Sequence, residues 1–184
     1  YVAEENGGGL LLENGVHAFD HLRMFSGSGI REVYDVQLAN SFLKGYHEDS
    51  AKMRLHHENG VESSVYIQGM DWNEMDYTVK IHGEKGVIVV RGFDDLSISG
   101  DIDFNQLPSF DCVSGDLRNP DGISFHEEDV SFQQRHIRGI TAQLQDFLDF
   151  IEGIKEQPDS TLEDAIEAHK VVFDAYGRAR WIGS

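Results

Sequence analysis

The chain has 184 residues, a length that suits one domain with a sizeable buried core. Its 33 acidic and 15 basic residues give a formal net charge of −18, which argues against nucleic acids and anionic membranes as partners because both would repel it. The single cysteine, Cys112, excludes an internal disulfide and a CxxC zinc motif, and a lone thiol favours a reducing compartment. We therefore expect a cytoplasmic protein with an acidic surface.

The beginning of the chain resembles neither a targeting signal nor a membrane segment. No stretch of about 20 apolar residues occurs in the sequence. The first residues, YVAEEN, lack the basic region and the apolar core of a signal peptide. Because they also lack a starting methionine, we expect the chain to be part of a longer protein.

The first predicted element is a helix over residues 9–25, directly behind the glycine run at 7–9. Apolar side chains recur along it at near-helical spacing, and the run Ser26-Gly27-Ser28-Gly29 ends it. The apolar positions are Leu12, Val16, Phe19, Leu22 and Phe25.

The middle of the chain is rich in predicted strands. Apolar alternation and turn residues place them at 31–42, 50–57, 61–69, 77–82, 87–90 and 96–99. The pair Asn59-Gly60 is the strongest hairpin signal, and residues 83–86 form a second turn. About six strands joined mostly by short turns predict a largely antiparallel sheet.

The last part of the chain combines a long irregular segment with two helices. Residues 100–139 are polar, acidic and aperiodic, which predicts a long acidic loop or insertion. The first helix, 141–156, carries an apolar stripe. The second begins after Thr161, where the sequence TLED has the form of a capping box with aspartate in place of glutamate.

This order of elements predicts an α+β fold of two layers, with an open-faced, mostly antiparallel β-sheet and helices packed on one face. A sheet over residues 31–90 would leave an apolar face uncovered, and such a face invites a second copy of the chain or another domain. The segment 100–139 is the alternative cover.

Glu13 and His17 are the first candidates for chemistry. Because they lie four residues apart, both point the same way on a helix. A carboxylate that orients an imidazole makes a proton relay near neutral pH. Asn14 and Gly15 between them are poor helix formers, and sequences tend to break local rules of this kind at functional sites. The ordinary alternative is a surface pair or a hydrogen-bonded core histidine.

His17 and His21, with Asp20 between them, could instead begin a metal site, since their spacing resembles that of HExxH. The sequence HAFDH lacks the glutamate of that motif. The candidates for a third ligand are His47, His56, His57 and His126. No spacing selects one of them, so we predict no metal. Adjacent strand residues face opposite sides, so one of His56 and His57 is expected in the core and the other at the surface.

Neither nucleophilic catalysis nor nucleotide binding by this chain alone has a motif to support it. The sequence contains no GxSxG, and Cys112 has no evident base. The run Gly27-Ser28-Gly29 lacks the third glycine of GxGxxG and the strand that should precede it.

The opening segment resembles a specific family. Its pattern GG-x-L-x-(D/E)-x-G-x-H-x-x-D-x-x-x-x-x-x-G is similar to the start of the C-terminal domain of the Gfo/Idh/MocA family, the NAD(P)-dependent oxidoreductases related to glucose–fructose oxidoreductase and inositol dehydrogenase. The matching residues are Gly8, Gly9, Leu11, Glu13, Gly15, His17, Asp20 and Gly27. Residues 49–60, 81–86 and 143–179 are similar, in this order, to the family's D-x-A-x-x-x-L-x-F-x-N-G strand, its I-x-G-x-x-G hairpin and its closing helices.

The resemblance implies two domains with separate tasks. An N-terminal Rossmann domain, absent from this chain, would bind NAD or NADP and supply the lysine of an E-K-P motif. The C-terminal domain would build the substrate side and form dimer or tetramer contacts. The family's D-x-x-x-H pair maps onto Glu13 and His17, so His17 would exchange a proton with the substrate, and Glu13 stands where aspartate is usual. Asp20 would be structural.

We therefore predict the substrate-side domain of an oxidoreductase that interconverts a secondary alcohol and a ketone on a sugar, polyol or cyclitol. The fragment alone would be inactive, because the cofactor half lies outside the chain. The predicted substrate contacts are Asn14, Asp71 and Trp72. The alternative is a non-catalytic binding or assembly module on the same fold, which the glutamate at position 13 favours.

Overall fold

The computed structural model describes residues 9–40, 47–69, 78–92, 95–101, 117–119, 122–126 and 132–182. The chain divides into two compact units, one made of residues 1–72 and 155–184 and the other of residues 73–154. That the whole chain forms a single domain stays a prediction.

Helices and strands follow the predicted order of helix, strands and helices. In chain order they are a π-helical turn Leu11–Gly15, α1 Val16–Ser26, β1 Ile30–Ala39, β2 Ser50–His57, β3 Glu62–Gln68, β4 Thr78–His82, β5 Gly86–Arg91, β6 Asp95–Gly100, β7 Leu117–Asn119, β8 Gly122–His126, α2 Phe132–Ile151, α3 Leu162–Arg178 and β9 Arg180–Ile182. Mostly antiparallel sheets with few helices confirm the α+β class. No helix in the described part of the chain is long and apolar enough to cross a membrane.

The first unit contains a four-stranded sheet in the order β3-β2-β1-β9. Strands β1, β2 and β3 pair antiparallel, and β9 joins β1 in parallel. The turn at Asn59-Gly60 connects β2 to β3 and places Met53 opposite Val65, so this hairpin prediction is confirmed. An irregularity in β1 follows Tyr34, where Asp35 adopts a φ of 51°.

Helices α1 and α3 pack on one face of this sheet. Their buried side chains share one apolar cluster with alternate residues of the strands. The members are Leu11, Phe19, Val33, Val36, Leu38, Ala51, Met53, Leu55, Val65, Ala168, Val171, Val172 and Ala175. The other face carries exposed polar and charged side chains such as Lys52, Arg54 and Glu62. The expectation of an uncovered apolar face is therefore wrong for this sheet, because its strands alternate between apolar and polar residues.

Arg23 of α1 ties the two helices together. Its guanidinium donates to the backbone carbonyl and to the carboxylate of Asp164 on α3, each at 3.0 Å. Asp164 also completes the capping box with Thr161, which confirms that prediction. Asp20 lies 3.5 Å from the same guanidinium, which supports its structural interpretation.

The second unit contains an antiparallel sheet in the order β4-β5-β6-β8-β7 together with α2. The predicted turn at 83–86 joins β4 to β5, where the Gly83 N–H donates to the Gly86 carbonyl at 2.8 Å. Strands β7 and β8 lie inside the segment 100–139, and α2 begins at Phe132 instead of residue 141. Strands of three and five residues are too short to show the periodicity on which a sequence prediction depends.

The strands between residues 31 and 90 belong to two sheets, so the expectation of a single sheet is wrong. Strands β1 to β3 pair among themselves, whereas β4 and β5 pair with β6. Local patterns identify a strand and its hairpin partner, but they do not determine which edges meet across a longer connection.

Candidate active site

The segment that carries the predicted site residues begins with the π-helical turn Leu11–Gly15. The Glu13 N–H donates to the Gly9 carbonyl at 3.2 Å. Leu11 is buried in the core, whereas Glu13 and Asn14 are exposed. The turn is therefore fixed on its inner side and presents polar groups on its outer side. Wide turns of this kind are frequent at functional sites.

His17 lies in the first turn of α1, and its side chain is exposed. Within the described ranges, neither the side chain of Glu13 nor that of His17 has a hydrogen-bond or ion-pair partner. The structure thus brings Glu13, Asn14 and His17 to one short exposed segment without a bond between the first and the last. Their proton relay stays a prediction. The other two predicted substrate contacts, Asp71 and Trp72, lie outside the described residues.

His21, one turn further along α1, differs from His17 because it is half-buried. Burial lowers the pKa of its imidazole, Asp20 opposes the shift, and His17 adds to the lowering. The neutral imidazole is thus the favoured form of His21 near pH 7. Its ring lies 6.2 Å from that of Phe25, which is consistent with a packing role.

The histidines that a metal site would need do not converge in the described part of the chain, where no group of three or more His, Cys, Asp or Glu could hold a metal ion. His57 is wholly buried, and its ring nitrogens lie 2.9 Å from Ser26 Oγ and 2.8 Å from Ser63 Oγ. His56 stacks on Tyr34 with the ring centroids 4.4 Å apart. The prediction of one core and one surface histidine is confirmed, since neighbouring residues of β2 face opposite sides.

A buried carboxylate, Glu48, anchors the π-helical turn on the side that faces the core. Its Oε1 accepts from the Leu11 N–H at 2.9 Å, and its backbone carbonyl accepts from the Leu10 N–H at 3.1 Å. Leu10, the N-cap residue, offers no side-chain cap of its own. Glu48 therefore satisfies N–H groups that a helix leaves without a partner at its start, and a negative charge is favourable at that end.

Gly9 and Gly15 leave the space that this arrangement needs. A Cβ built on Gly9 would overlap the Glu48 carboxylate. A Cβ on Gly15 would lie 2.7 Å from Leu11 Cδ1, inside van der Waals contact. Two glycines of the recognised pattern are thus explained by close packing around the turn.

Tyr176 of α3 completes the anchor. Its hydroxyl donates to Glu48 Oε1 at 2.7 Å. Burial raises the pKa of the Tyr176 phenol strongly, and the hydrogen bond to Glu48 and the charge of that carboxylate add to the rise, so the hydroxyl keeps its proton. The predictions from sequence included neither Glu48 nor Tyr176. Tyr176 follows the apolar spacing of its helix, and no local pattern distinguishes a buried glutamate from an exposed one.

The fold and this site define a class of protein. It is an α+β domain whose first helical segment exposes polar side chains on one side and bonds to a buried glutamate, Glu48, on the other. Residues 1–89 match the family model of the GFO/IDH/MocA C-terminal domain. This match confirms the resemblance to the Gfo/Idh/MocA family that the motifs indicated. No curated protein sequence matches the chain.

Solved structures of oxidoreductases share the fold. An oxidoreductase from Agrobacterium radiobacter, in complex with NAD+, L-tartaric acid and magnesium, is 18% identical with a TM-score of 0.69, and the match covers 96% of this chain and 48% of that one. An NAD binding oxidoreductase from Klebsiella pneumoniae is 12% identical with a TM-score of 0.70, over 93% and 48%. The WlbA dehydrogenase from Bordetella pertussis, in complex with NADH and UDP-GlcNAcA, is 16% identical with a TM-score of 0.61, over 92% and 43%. The chain spans about half the length of these structures.

Proposed function

We propose that the chain is the substrate-side domain of an NAD(P)-dependent oxidoreductase that interconverts a secondary alcohol and a ketone on a sugar, polyol or cyclitol. The observation that carries the proposal is the exposure of Glu13 and Asn14 on a turn that is anchored in the core, and of His17 in the first turn of α1 directly after it. The fold shared with oxidoreductase structures of about twice this length supports it.

In this proposal the cofactor, NAD or NADP, is bound mainly by a domain outside the chain. The sequence has no glycine-rich phosphate loop, so its own residues do not fit the role of a dinucleotide site. The nicotinamide accepts or donates the hydride when it is bound. Without that domain we expect the chain to be inactive.

The residues of this chain handle the proton and the position of the substrate. His17, an exposed imidazole, takes the proton of the substrate hydroxyl during oxidation and returns it during reduction. Glu13 orients that imidazole once substrate is bound, and Asn14 hydrogen-bonds a neighbouring hydroxyl. Asp71 and Trp72 remain proposed substrate contacts.

The test is the change His17→Ala in the full-length protein, assayed with NAD and NADP against a panel of sugars, polyols and cyclitols. We expect turnover to fall about 10²-fold or more, because the general base is lost, while the KM of the cofactor is unchanged. The matched control is His169→Ala, which removes an exposed histidine from α3. Turnover that His17→Ala leaves at the wild-type level would reject the proposed mechanism.

The second candidate is a non-catalytic binding or assembly module. The glutamate at position 13 and the absence of a Glu13–His17 bond within the described residues favour it. It predicts that the full-length wild-type protein turns over no member of the panel, whereas the oxidoreductase proposal predicts turnover of at least one.

We also propose that the protein assembles as a homodimer or homotetramer through a sheet face. The second sheet offers such a face, since Val79 and Ile81 of β4 are half-buried between exposed neighbours and pair with Val90 and Ile88 of β5. The cytoplasmic location stays a prediction.

A further inference from the structure

Buried Glu48 and half-buried Tyr176 lie on the inner side of the turn Leu11–Gly15, which carries Glu13 and Asn14 and continues into α1 with His17. We propose that Glu48 and Tyr176 are positioning residues: they fix the backbone of Leu11–Gly15 and so the directions of Glu13 and His17. This inference rests on the proposed function. It assigns no chemical step to either residue of the pair.

The first step of the argument concerns the backbone. The N–H groups of Leu10 and Leu11 both bond to Glu48, one to its carbonyl at 3.1 Å and one to its carboxylate at 2.9 Å. A residue distant in sequence thus determines where the helical segment begins and how it is oriented. The side chains of Glu13 and Asn14 face solvent, and in the described part of the chain they make no hydrogen bond that could do this.

The second step concerns the carboxylate itself. Tyr176 donates to the oxygen of Glu48 that holds Leu11, so one oxygen connects the π-helical turn to α3. The neighbouring Val172 and Ala175 of α3 are wholly buried, so the phenol is carried by a well-packed helix. Hydrogen bonds to an ionised group are stronger than neutral ones, and burial strengthens them further.

The third step concerns the cost of this anchor. Glu48 is wholly buried, and its second oxygen, Oε2, has no hydrogen-bond partner within the described residues. Leaving a buried polar atom without a partner costs stability, and a local serine, threonine or aspartate would cap the helix more cheaply. A costly arrangement below a proposed site is what a positioning function would require.

The fourth step concerns the form of the turn. A π-helical turn holds one residue more than the α-helical turn it replaces. Relaxation to an α-helical turn would change the directions of Glu13 and Asn14 relative to His17, because the two forms differ in their rotation per residue. A weakened anchor should therefore change the geometry of the site.

The experiment uses the full-length protein with Tyr176→Phe, which removes only the phenol hydroxyl, and Glu48→Gln, which keeps an acceptor oxygen for Leu11 and Tyr176. The matched control, Ser63→Ala, removes a hydrogen bond of 2.8 Å from buried His57 without contact with the turn. We measure kcat, the KM of substrate and cofactor, the pH profile of kcat and amide exchange at residues 11–15, well below the unfolding temperature of each variant.

We expect Tyr176→Phe to lower kcat about tenfold per folded molecule, because small misplacements of reacting groups are costly. The KM of the cofactor should not change, and the pH profile of kcat should keep the limb of a general base, since His17 still takes the proton. Amide exchange at 11–15 should rise, Glu48→Gln should retain most of kcat, and Ser63→Ala should change none of these quantities.

Two different failures are distinguishable. If His17→Ala abolishes turnover but Tyr176→Phe behaves like Ser63→Ala in kcat and in exchange, the positioning inference is overturned and the proposed function stands. If His17→Ala leaves turnover unchanged, the proposed function is overturned, and the inference that rests on it falls as well. Because both substitutions in the pair are nearly isosteric, loss of folding is not the expected outcome of either.

Discussion

Gly9, the last residue of the glycine run, lies directly against the carboxylate of buried Glu48. A Cβ at this position would overlap the Glu48 carboxylate, which cannot retreat without losing its bonds to Leu11 and Tyr176. We expect Gly9→Ala to lower the free energy of unfolding by about 2–3 kcal/mol, the cost of overfilling a packed site. Urea unfolding of the protein measures this change as a lower midpoint at an unchanged slope.

The control for this substitution is Gly177→Ala on α3, where a Cβ would meet nothing within 4 Å. Alanine is the better helix former, so this variant should gain about 0.5–1 kcal/mol. If Gly9→Ala were as stable as the wild type, the Glu48 carboxylate would have room that the structure does not give it.

At the scale of residues, the sequence predicted the exposed side chains of the site, but not the two residues that anchor the turn. Glu13 and His17 are four residues apart, so a short pattern contains both. Glu48 and Tyr176 are 128 residues apart, and their bond depends on how α3 packs. Alternation along a strand was enough to separate His56 from His57, because that property is local.

At the scale of elements, the start of α3 shows how a local motif links helices. The side chain of Thr161 accepts from the Asp164 N–H at 3.2 Å, and Asp164 accepts from the Thr161 N–H at 3.0 Å and from Arg23 of α1. We expect Thr161→Ala to cost about 1 kcal/mol of stability at pH 7. Thermal or urea unfolding measures this loss. Ser160→Ala is the control, because it removes a hydroxyl from the adjacent residue and leaves the cap intact.

The same cap predicts a pH dependence. The hydrogen bonds from Thr161, and then those from Arg23, hold the pKa of Asp164 below its usual value of 3.8. A carboxyl whose pKa is lowered by folding stabilises the fold above its unfolded value, and this contribution is lost as the pH falls through the folded value. The difference in stability between wild type and Thr161→Ala should therefore shrink below about pH 4. A difference that stayed constant down to pH 2 would exclude Asp164 as its source.

Which elements could be predicted depended on their length and on their neighbours. The hairpins at Asn59-Gly60 and at residues 83–86 carry their own turn residues, so the strands around them were found. Strand β9 has three residues and pairs in parallel with β1, far away in the sequence. The first residues of α2 contain Gly139 and several charges and polar groups, which hid the helix there.

At the scale of the whole molecule, the order of elements predicted the α+β class but not the division of the strands into two sheets. That division changes which surface is a candidate for assembly. The first sheet exposes Lys52 and Arg54 on its outer face, whereas β4 and β5 carry paired aliphatic side chains. With a net charge of −18, copies of the chain repel one another at long range, so apolar contact must supply the attraction.

We therefore expect light scattering of the full-length protein to give at least twice the mass of one chain. Ile81→Asp should shift the protein towards the monomer, because it buries a charge in the proposed interface. Lys80→Asp is the matched control, since Lys80 is the adjacent residue of β4 and is exposed where Ile81 is half-buried. Circular dichroism checks that both variants remain folded. A wild-type monomer at high concentration, or equal masses for the two folded variants, would contradict assembly through this face.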